Sequence, residues 1–415
     1  MVWLLVGYMW LFLHRPFEVW PILGAIRLER VYMLFTMLVW ATTAKKEWTE
    51  NRVNFALCAV AFSITFSTVM SPYVDILNYI PTQDWLKVFI FYLLIMSTVK
   101  KEKDLKILTT AFIVCFFLYM LHSFREYQNG KGKWAMDTWR MVGVDSTMND
   151  PNTFGNSIVY ALPMLYPLMA LFKKKWHWLF LAAYFLLSFR CVQLTGSRSS
   201  MLAIGFLLGS CAVASKHRAK IVPTMALCIP LIWFSMNENL KDRYRTIWNP
   251  SSNKGATDSA LGRVEGFWGG IRNFENSPIW GIGPECHPFT TPTKLQTHQL
   301  YGQIIGELGL IGIFAFLSLL GAILFNHWEI IQLRKTLRDV GREKDADYCY
   351  RVSGGVVITV FLLLLLGLGG HNMLRYTWVW YAAFQGIAVS ILREKVAKVR
   401  FAKMTGIDIK TLRLN

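Results

Sequence analysis

Three segments of the chain hold polar residues whose types and spacing could do chemistry. The first is Thr195-Gly196-Ser197-Arg198-Ser199-Ser200. Ser197 suits a helix N-cap, so the first amides of the helix that follows point outward, unpaired and partly positive. Arg198 adds a full charge and a planar fork of donors. A helix start with an arginine is a natural phosphate site; the same arginine could instead snorkel to lipid headgroups. The second centres on Arg263. Leu261, Val264, Phe267, Ile271 and Phe274 recur at helical spacing, and Arg263, Gly266, Gly270 and Asn273 share another face. A glycine-lined strip would let a ligand approach the backbone closely; the alternative is an amphipathic helix lying on a membrane with its arginine exposed. The third is Thr297-His298-Gln299-Leu300-Tyr301-Gly302. His298 stands at the mouth of a long apolar run, where an imidazole is either a general base or a structural group. Gly302 and Gly306 lie below it on one helix face, leaving a groove for a lipid tail or a neighbouring helix.

Other candidates rank lower. Gly281-Ile282-Gly283-Pro284-Glu285 reads as a tight turn, since no βαβ unit follows, with Glu285 and His287 as reserve acid–base groups. Asn149-Asp150-Pro151-Asn152 reads as a turn and helix cap. Asp345-Ala346-Asp347 has the spacing of a metal-holding carboxylate pair but lies in a loop of mixed charge, opposite the other candidates. His371, beside Asn372, has no second ligand at useful spacing, and no zinc pattern occurs. The expectation is therefore no metal: if the protein handles phosphate, its arginines must do what a metal would otherwise do. The seven cysteines set no disulfide framework; Cys191 and Cys286 share the outer side without a pairing that spacing can establish.

The elements that must position these residues follow from composition. Apolar residues make up 54% of 415 and charged residues only 17%, against about 25% charged in soluble domains. That excludes a soluble multidomain enzyme, a disordered chain and a disulfide scaffold. It predicts an all-α polytopic membrane protein with about twelve transmembrane helices. The spans are expected near 2–22, 31–44, 53–71, 85–99, 105–122, 153–172, 176–194, 199–214, 219–235, 299–325, 353–369 and 376–392. Arg15, Pro16 and Glu18 interrupt the first, which divides into two short segments if it is not one span. It lacks a basic leader and a cleavage site, so no signal peptide is expected.

The net charge of +18 concentrates in alternate connections, such as Lys100, Lys101, Lys103 and Lys106, Lys173 to Lys175, and the 393–415 tail. Basic loops stay in the cytoplasm. Both termini are therefore expected there. The organisation predicted is N-terminal helices over 1–235 with a short periplasmic loop at 123–152, a large helical periplasmic loop at 236–298, C-terminal helices over 299–392, and a basic cytoplasmic tail. No internal repeat is evident.

Taken together, these residues resemble the O-antigen ligase family of bacterial membrane enzymes, which includes O-antigen polymerases and protein O-oligosaccharyltransferases. The likeness is best over 145–325. It rests on Arg198 to Leu202 as an Arg-x3-Leu segment and on His298 to Gly306 as a His-x7-Gly segment. Between them lie a Gly-Arg helix and an Asn-Ser-Pro-Ile-Trp-Gly-Ile-Gly turn. The Asn-Asp-Pro-Asn segment is similar to that of O-glycosylation ligases of the exosortase system. The resemblance implies an inner-membrane glycosyltransferase with its site facing the periplasm. Its donor would be a glycan on undecaprenyl pyrophosphate, its acceptor a lipid A core sugar, a growing glycan or a protein hydroxyl, and it would need no cofactor and no nucleotide. Arg198 and Arg263 would hold the pyrophosphate and His298 would deprotonate the acceptor. A lipid-linked glycan transporter is the reading from a different class; it would show paired repeats and midplane ionisable residues, whereas here the conspicuous polar groups gather at outer helix ends and in one loop.

Overall fold

The computed structural model describes residues 1–415 except 44, 45, 74, 75, 136, 137, 216, 217, 221, 224–229, 231, 232, 235, 237, 250–253, 293, 410, 411, 413 and 415. The expected span 219–235, Cys228 and the Pro250-Ser251-Ser252 stretch fall wholly or largely outside the described residues.

Among the described residues the protein is all-α apart from one small hairpin. The first apolar run is three pieces, α1 (Val2–His14), α2 (Pro16–Val19) and α3 (Pro21–Ala25). The break falls where the sequence places it: Arg15 takes a left-handed φ of 45° and Pro16 opens the next turn. There follow α4 (Leu28–Thr43), α5 (Arg52–Met70), α6 (Ile76–Thr98) and α7 (Glu102–Gln128). A two-stranded antiparallel ribbon, β1 (Lys133–Ala135) and β2 (Thr138–Arg140), lies in the 123–152 loop. Next come α8 (Pro151–Ala161), α9 (Leu165–Leu168), α10 (Lys175–Thr195) and α11 (Arg198–Ala214). The large loop holds α12 (Glu238–Arg245) and α13 (Lys254–Asn276). Three long helices close the chain: α14 (Leu300–Arg338), α15 (Asp347–Gly367) and α16 (Tyr376–Thr405).

Among the described residues, six stretches are long and apolar enough to cross a membrane: Arg52–Met70, Glu102–Gln128, Pro151–Leu171, Lys175–Thr195, Leu300–Arg338 and Glu343–Gly367. Val2–His14 and Arg198–Val213 are apolar but shorter. The protein is thus a multi-pass membrane protein. Of the other expected spans, 85–99 and 376–392 lie within the longer helices α6 (23 residues) and α16 (30 residues), 2–22 is divided at Arg15, 31–44 and 199–214 are helices of 16 and 17 residues, and 219–235 falls largely outside the described residues. Helix α16 is buried on all sides over Tyr376–Val389 and packs against α5, α6, α7, α14 and α15, so it is the axis of the bundle.

Two features of this core position the site. Helix α13 lies along the start of α14 with glycine against glycine. A Cβ at Gly270 would stand 2.4 Å from the Gly302 carbonyl oxygen, and one at Gly306 would stand 2.8 Å from the Gly270 Cα. The glycine strips on both segments are therefore one helix–helix contact. No space for a ligand or lipid tail remains there, and the apolar Leu261 and Val264 turn outward, exposed.

The second feature is a break in α14 at Gly309, with φ 61° and ψ −159°. The 278–283 turn fills it. Ile282 and Gly283 amides donate to the Gly306 and Glu307 carbonyls, both at 3.1 Å, and the Leu310 and Ile311 amides donate to Pro278 and Ile279 at 2.8 and 3.1 Å. Broken backbone is tolerated in a membrane helix only where the protein itself pairs it, as here. Only glycine fits the turn: Gly281 and Gly283 have φ of 73° and 106°.

Candidate functional site

The site begins at the turn between α10 and α11. Gly196 ends α10 in the left-handed region (φ 59°), and Ser197 caps α11 by accepting from the Ser200 amide. Ser200 Oγ lies 2.7 Å from Asn156 Oδ1, which ties the cap to α8. Asp150 caps α8 by accepting from the Thr153 amide at 2.8 Å, the capping role its sequence suggests. The last carbonyls of α10 carry the negative end of its dipole. Two arginines cover them: Arg140 Nε donates to Thr195 O and Arg243 Nε to Gly196 O, each at 2.6 Å. Arg140, 2% exposed, also donates to Asn152 Oδ1 at 2.8 Å.

Arg198 sits at the head of α11, half-buried, and donates to Thr246 Oγ1 at 2.8 Å. Arg263 comes from α13 and lies against the loop after α15, where a Cβ at Gly369 would stand 3.1 Å from its Cζ. Four guanidiniums thus gather from β2, α11, α12 and α13. They are close enough to disfavour one another's charge. Burial, then Arg243, pushes the Arg140 pKa down; burial, then Arg198, does the same to both Arg243 and Arg263. Mutual repulsion among partly desolvated cations would be relieved by an anion among them. Asp150 is the acid that acts on Arg140 and Arg243 here.

His298 precedes α14 and keeps access to solvent. Partial desolvation by the walls of the site lowers its pKa; Asp150 opposes this and Arg263 reinforces it. Its ring centroid is 5.7 Å from that of His371. Burial, then His298 and Arg375, pushes His371 down to about 4, so this imidazole is neutral near pH 7. One of its nitrogens meets the Thr297 backbone, and its Nδ1 is buried with no hydrogen-bond partner. His371 also lines a cavity of about 470 Å³, whose walls include Arg15, Asp84, Glu285, Gln303 and Arg375.

The three residues singled out as site groups, Arg198, Arg263 and His298, are therefore brought to one region although they lie up to 100 residues apart. Of the reserve acid–base groups, His287 is held elsewhere and Glu285 lines the cavity that His371 shares. His287, 3% exposed, is held against α13 with its Nδ1 3.1 Å from Asn273 Nδ2. Glu285 faces the cavity, where burial and Asp84 raise its pKa. Asp345 and Asp347 are engaged by Arg342 and Arg351. Among the described residues no three His, Cys, Asp or Glu side chains converge as a metal cage, and no disulfide joins Cys191 to Cys286. Sequence reasoning missed Arg140 and Arg243 altogether and weighed His371 only as a metal ligand. Arg140 ends β2 and Arg243 lies in α12, neither within a motif; His371 could have been found as a histidine on the same side as His298.

Comparison with known proteins adds one match. Residues 159–317 fit the family model described as O-antigen ligase. No curated protein matched the chain. The matched stretch takes in Arg198, Arg263 and His298, and stops short of His371.

Proposed function

We propose that this member of the O-antigen ligase family is an inverting glycosyltransferase. It transfers a glycan from undecaprenyl pyrophosphate to an acceptor hydroxyl at the periplasmic face of the bacterial inner membrane. The observation that carries the reading is the convergence of Arg140, Arg198, Arg243 and Arg263 beside a solvent-accessible imidazole.

A pyrophosphate leaving group supports this use of four cations. As the glycosidic C–O bond breaks, its electron pair departs with the pyrophosphate, which gains negative charge. Arg198 and Arg263 stabilise that charge, and stabilisation aimed at developing charge is commonly the largest contribution to such a rate. On the other side of the anomeric carbon the acceptor oxygen attacks in line, so configuration inverts. The acceptor proton passes to His298, which is neutral above its lowered pKa. Fixed guanidiniums supply the charge that a divalent ion would otherwise supply, and transfer is expected to need no metal. A lipid A core sugar is the favoured acceptor; a growing glycan or a protein hydroxyl would make the protein a polymerase or an O-oligosaccharyltransferase.

The test is transfer by the purified protein from a lipid-linked glycan, in excess EDTA, offered each acceptor class separately. Transfer should persist, and Arg198→Ala or Arg263→Ala should abolish or greatly reduce it. Lysine at position 198 should not fully restore it, lacking the bidentate fork. His298→Gln should lose transfer and keep donor binding. Wild-type rates in both arginine variants, or activity restored only by magnesium or manganese, would overturn the assignment.

A further inference from the structure

Glu307 has no role in the reaction above. It lies in α14 just before the break and is 1% exposed. An ionisable residue inside an apolar span is costly and is retained for a reason. Gln296 Nε2 donates to the Glu307 carboxyl at 2.9 Å, and the Gln303 side-chain amide and the backbone N–H of Glu285 face it.

The two glutamines cannot turn around. The Thr297 amide donates to Gln296 Oε1 at 3.0 Å, and the Met373 amide donates to Gln303 Oε1 at 3.2 Å. Each oxygen is claimed by a backbone N–H, so each NH₂ must face Glu307. Gln296 stands two residues before His298, and Met373 two residues after His371. One buried carboxylate therefore ties down both the strap that carries His298 and the loop that carries His371.

We propose that Glu307 is the positioning residue that holds His298 and His371 in register across the site, acting through Gln296 and Gln303. The inference rests on the reading of His298 as the base. The Glu307 carboxyl offers two acceptor oxygens to the inward-facing donors, and a single amide oxygen does not. A glutamine in its place has nearly the same shape but only one acceptor oxygen. Its NH₂ would confront the NH₂ of Gln296 or Gln303, and one arm would come loose. The reciprocal exchange repairs this. With Glu307→Gln and Gln303→Glu together, the carboxylate at 303 accepts from Met373 and from the new amide. The remaining amide oxygen accepts from Gln296 and Glu285.

Asp150, Arg263 and His371 face His298, and His298, Arg375 and Asp150 face His371. Their charges are unchanged in every variant. What changes is the desolvation of a loosened His298, so its pKa moves up toward about 6.5.

The experiment measures transfer by the full-length protein from a lipid-linked glycan, with kcat, donor KM and a pH profile. Glu307→Gln should lose kcat on the order of 10²-fold, as displacements of about 1 Å at a reacting group do. Donor KM should hold, since the arginines are untouched, and the acidic limb should move up. The exchange variant should recover most of kcat and return the limb. Wild-type kcat and limb in Glu307→Gln would overturn the proposal, as would an exchange variant that binds donor but is no more active than the single one. If the helix variants do not insert, Gln296→Met decides: it cuts only the strap to His298, and an unmoved limb would refute the idea. His298→Gln runs alongside; wild-type activity there removes the base itself, a failure distinct from failure of its positioning.

Discussion

Replacing Gly270 by alanine puts a methyl carbon 2.4 Å from the Gly302 oxygen and 2.6 Å from its Cα. Ordinary carbon contacts are near 3.5 Å, so α13 must retreat from α14 by about 1 Å. No flexible side chain can absorb the clash, because both nearest atoms are backbone. Arg263 lies on the same face of α13, two turns away, and His298 stands just ahead of α14. The retreat therefore widens the gap between anion site and imidazole by a similar distance. A displacement of that size costs on the order of 10²-fold in rate, and overpacking costs about 1–3 kcal/mol in stability. Gly262 is the control: it is in the same helix, and a Cβ there meets nothing within 4 Å. Gly262→Ala should leave transfer unchanged and, by helix propensity, stabilise by up to about 1 kcal/mol. Transfer rate at saturating donor and thermal unfolding in detergent report both quantities. Equal effects of the two substitutions, or a wild-type rate in Gly270→Ala, would refute the glycine-contact argument.

Other outcomes follow from the same geometry. Arg243→Ala removes the cover from the Gly196 carbonyl and one cation from the anion site, so donor KM should rise at least tenfold, about 1.4 kcal/mol; Arg245→Ala, an exposed arginine paired with Asp242, should change it little. Activity should rise with pH through a midpoint below the ordinary histidine value of about 6.5, since the neutral imidazole is the active form and its pKa is lowered; a midpoint above that value would remove His298 as the titrating base. Single cysteines at Glu275 and Met404, in a background freed of native cysteines, should react with an impermeant thiol reagent from outside and only after lysis, respectively; the reverse would put the site at the wrong leaflet.

Much was legible in the sequence because it depends on local properties. Apolar runs and their basic flanks mark membrane helices without knowledge of neighbours. Ser197 and Asp150 read as caps because a cap bonds its own helix within three residues. The Arg15-Pro16 interruption and the Gly281–Gly283 turn are likewise local backbone events. Arg198, Arg263 and His298 stood out as polar groups at helix mouths or on a glycine face, although each also fitted a structural reading: lipid snorkelling, a surface helix or a helix-mouth imidazole.

What only the tertiary structure decided is what those groups face. The glycines of α13 and α14 read equally as a ligand groove or a helix contact, since a missing Cβ announces closeness and not its partner; only the docked helices show that each strip fills the other. Arg140 and Arg243 carry no motif, because their role is to cover carbonyls of a helix more than 45 residues away. His371 gained meaning from a ring 73 residues earlier in the chain. The length of an apolar run does not say whether it meets lipid or the bundle axis, and α16, buried all round, is settled by packing alone. Periodicity and capping are written within a few residues, and the chain states them directly. Contacts between distant segments depend on how helices pack, and no single stretch of sequence contains them.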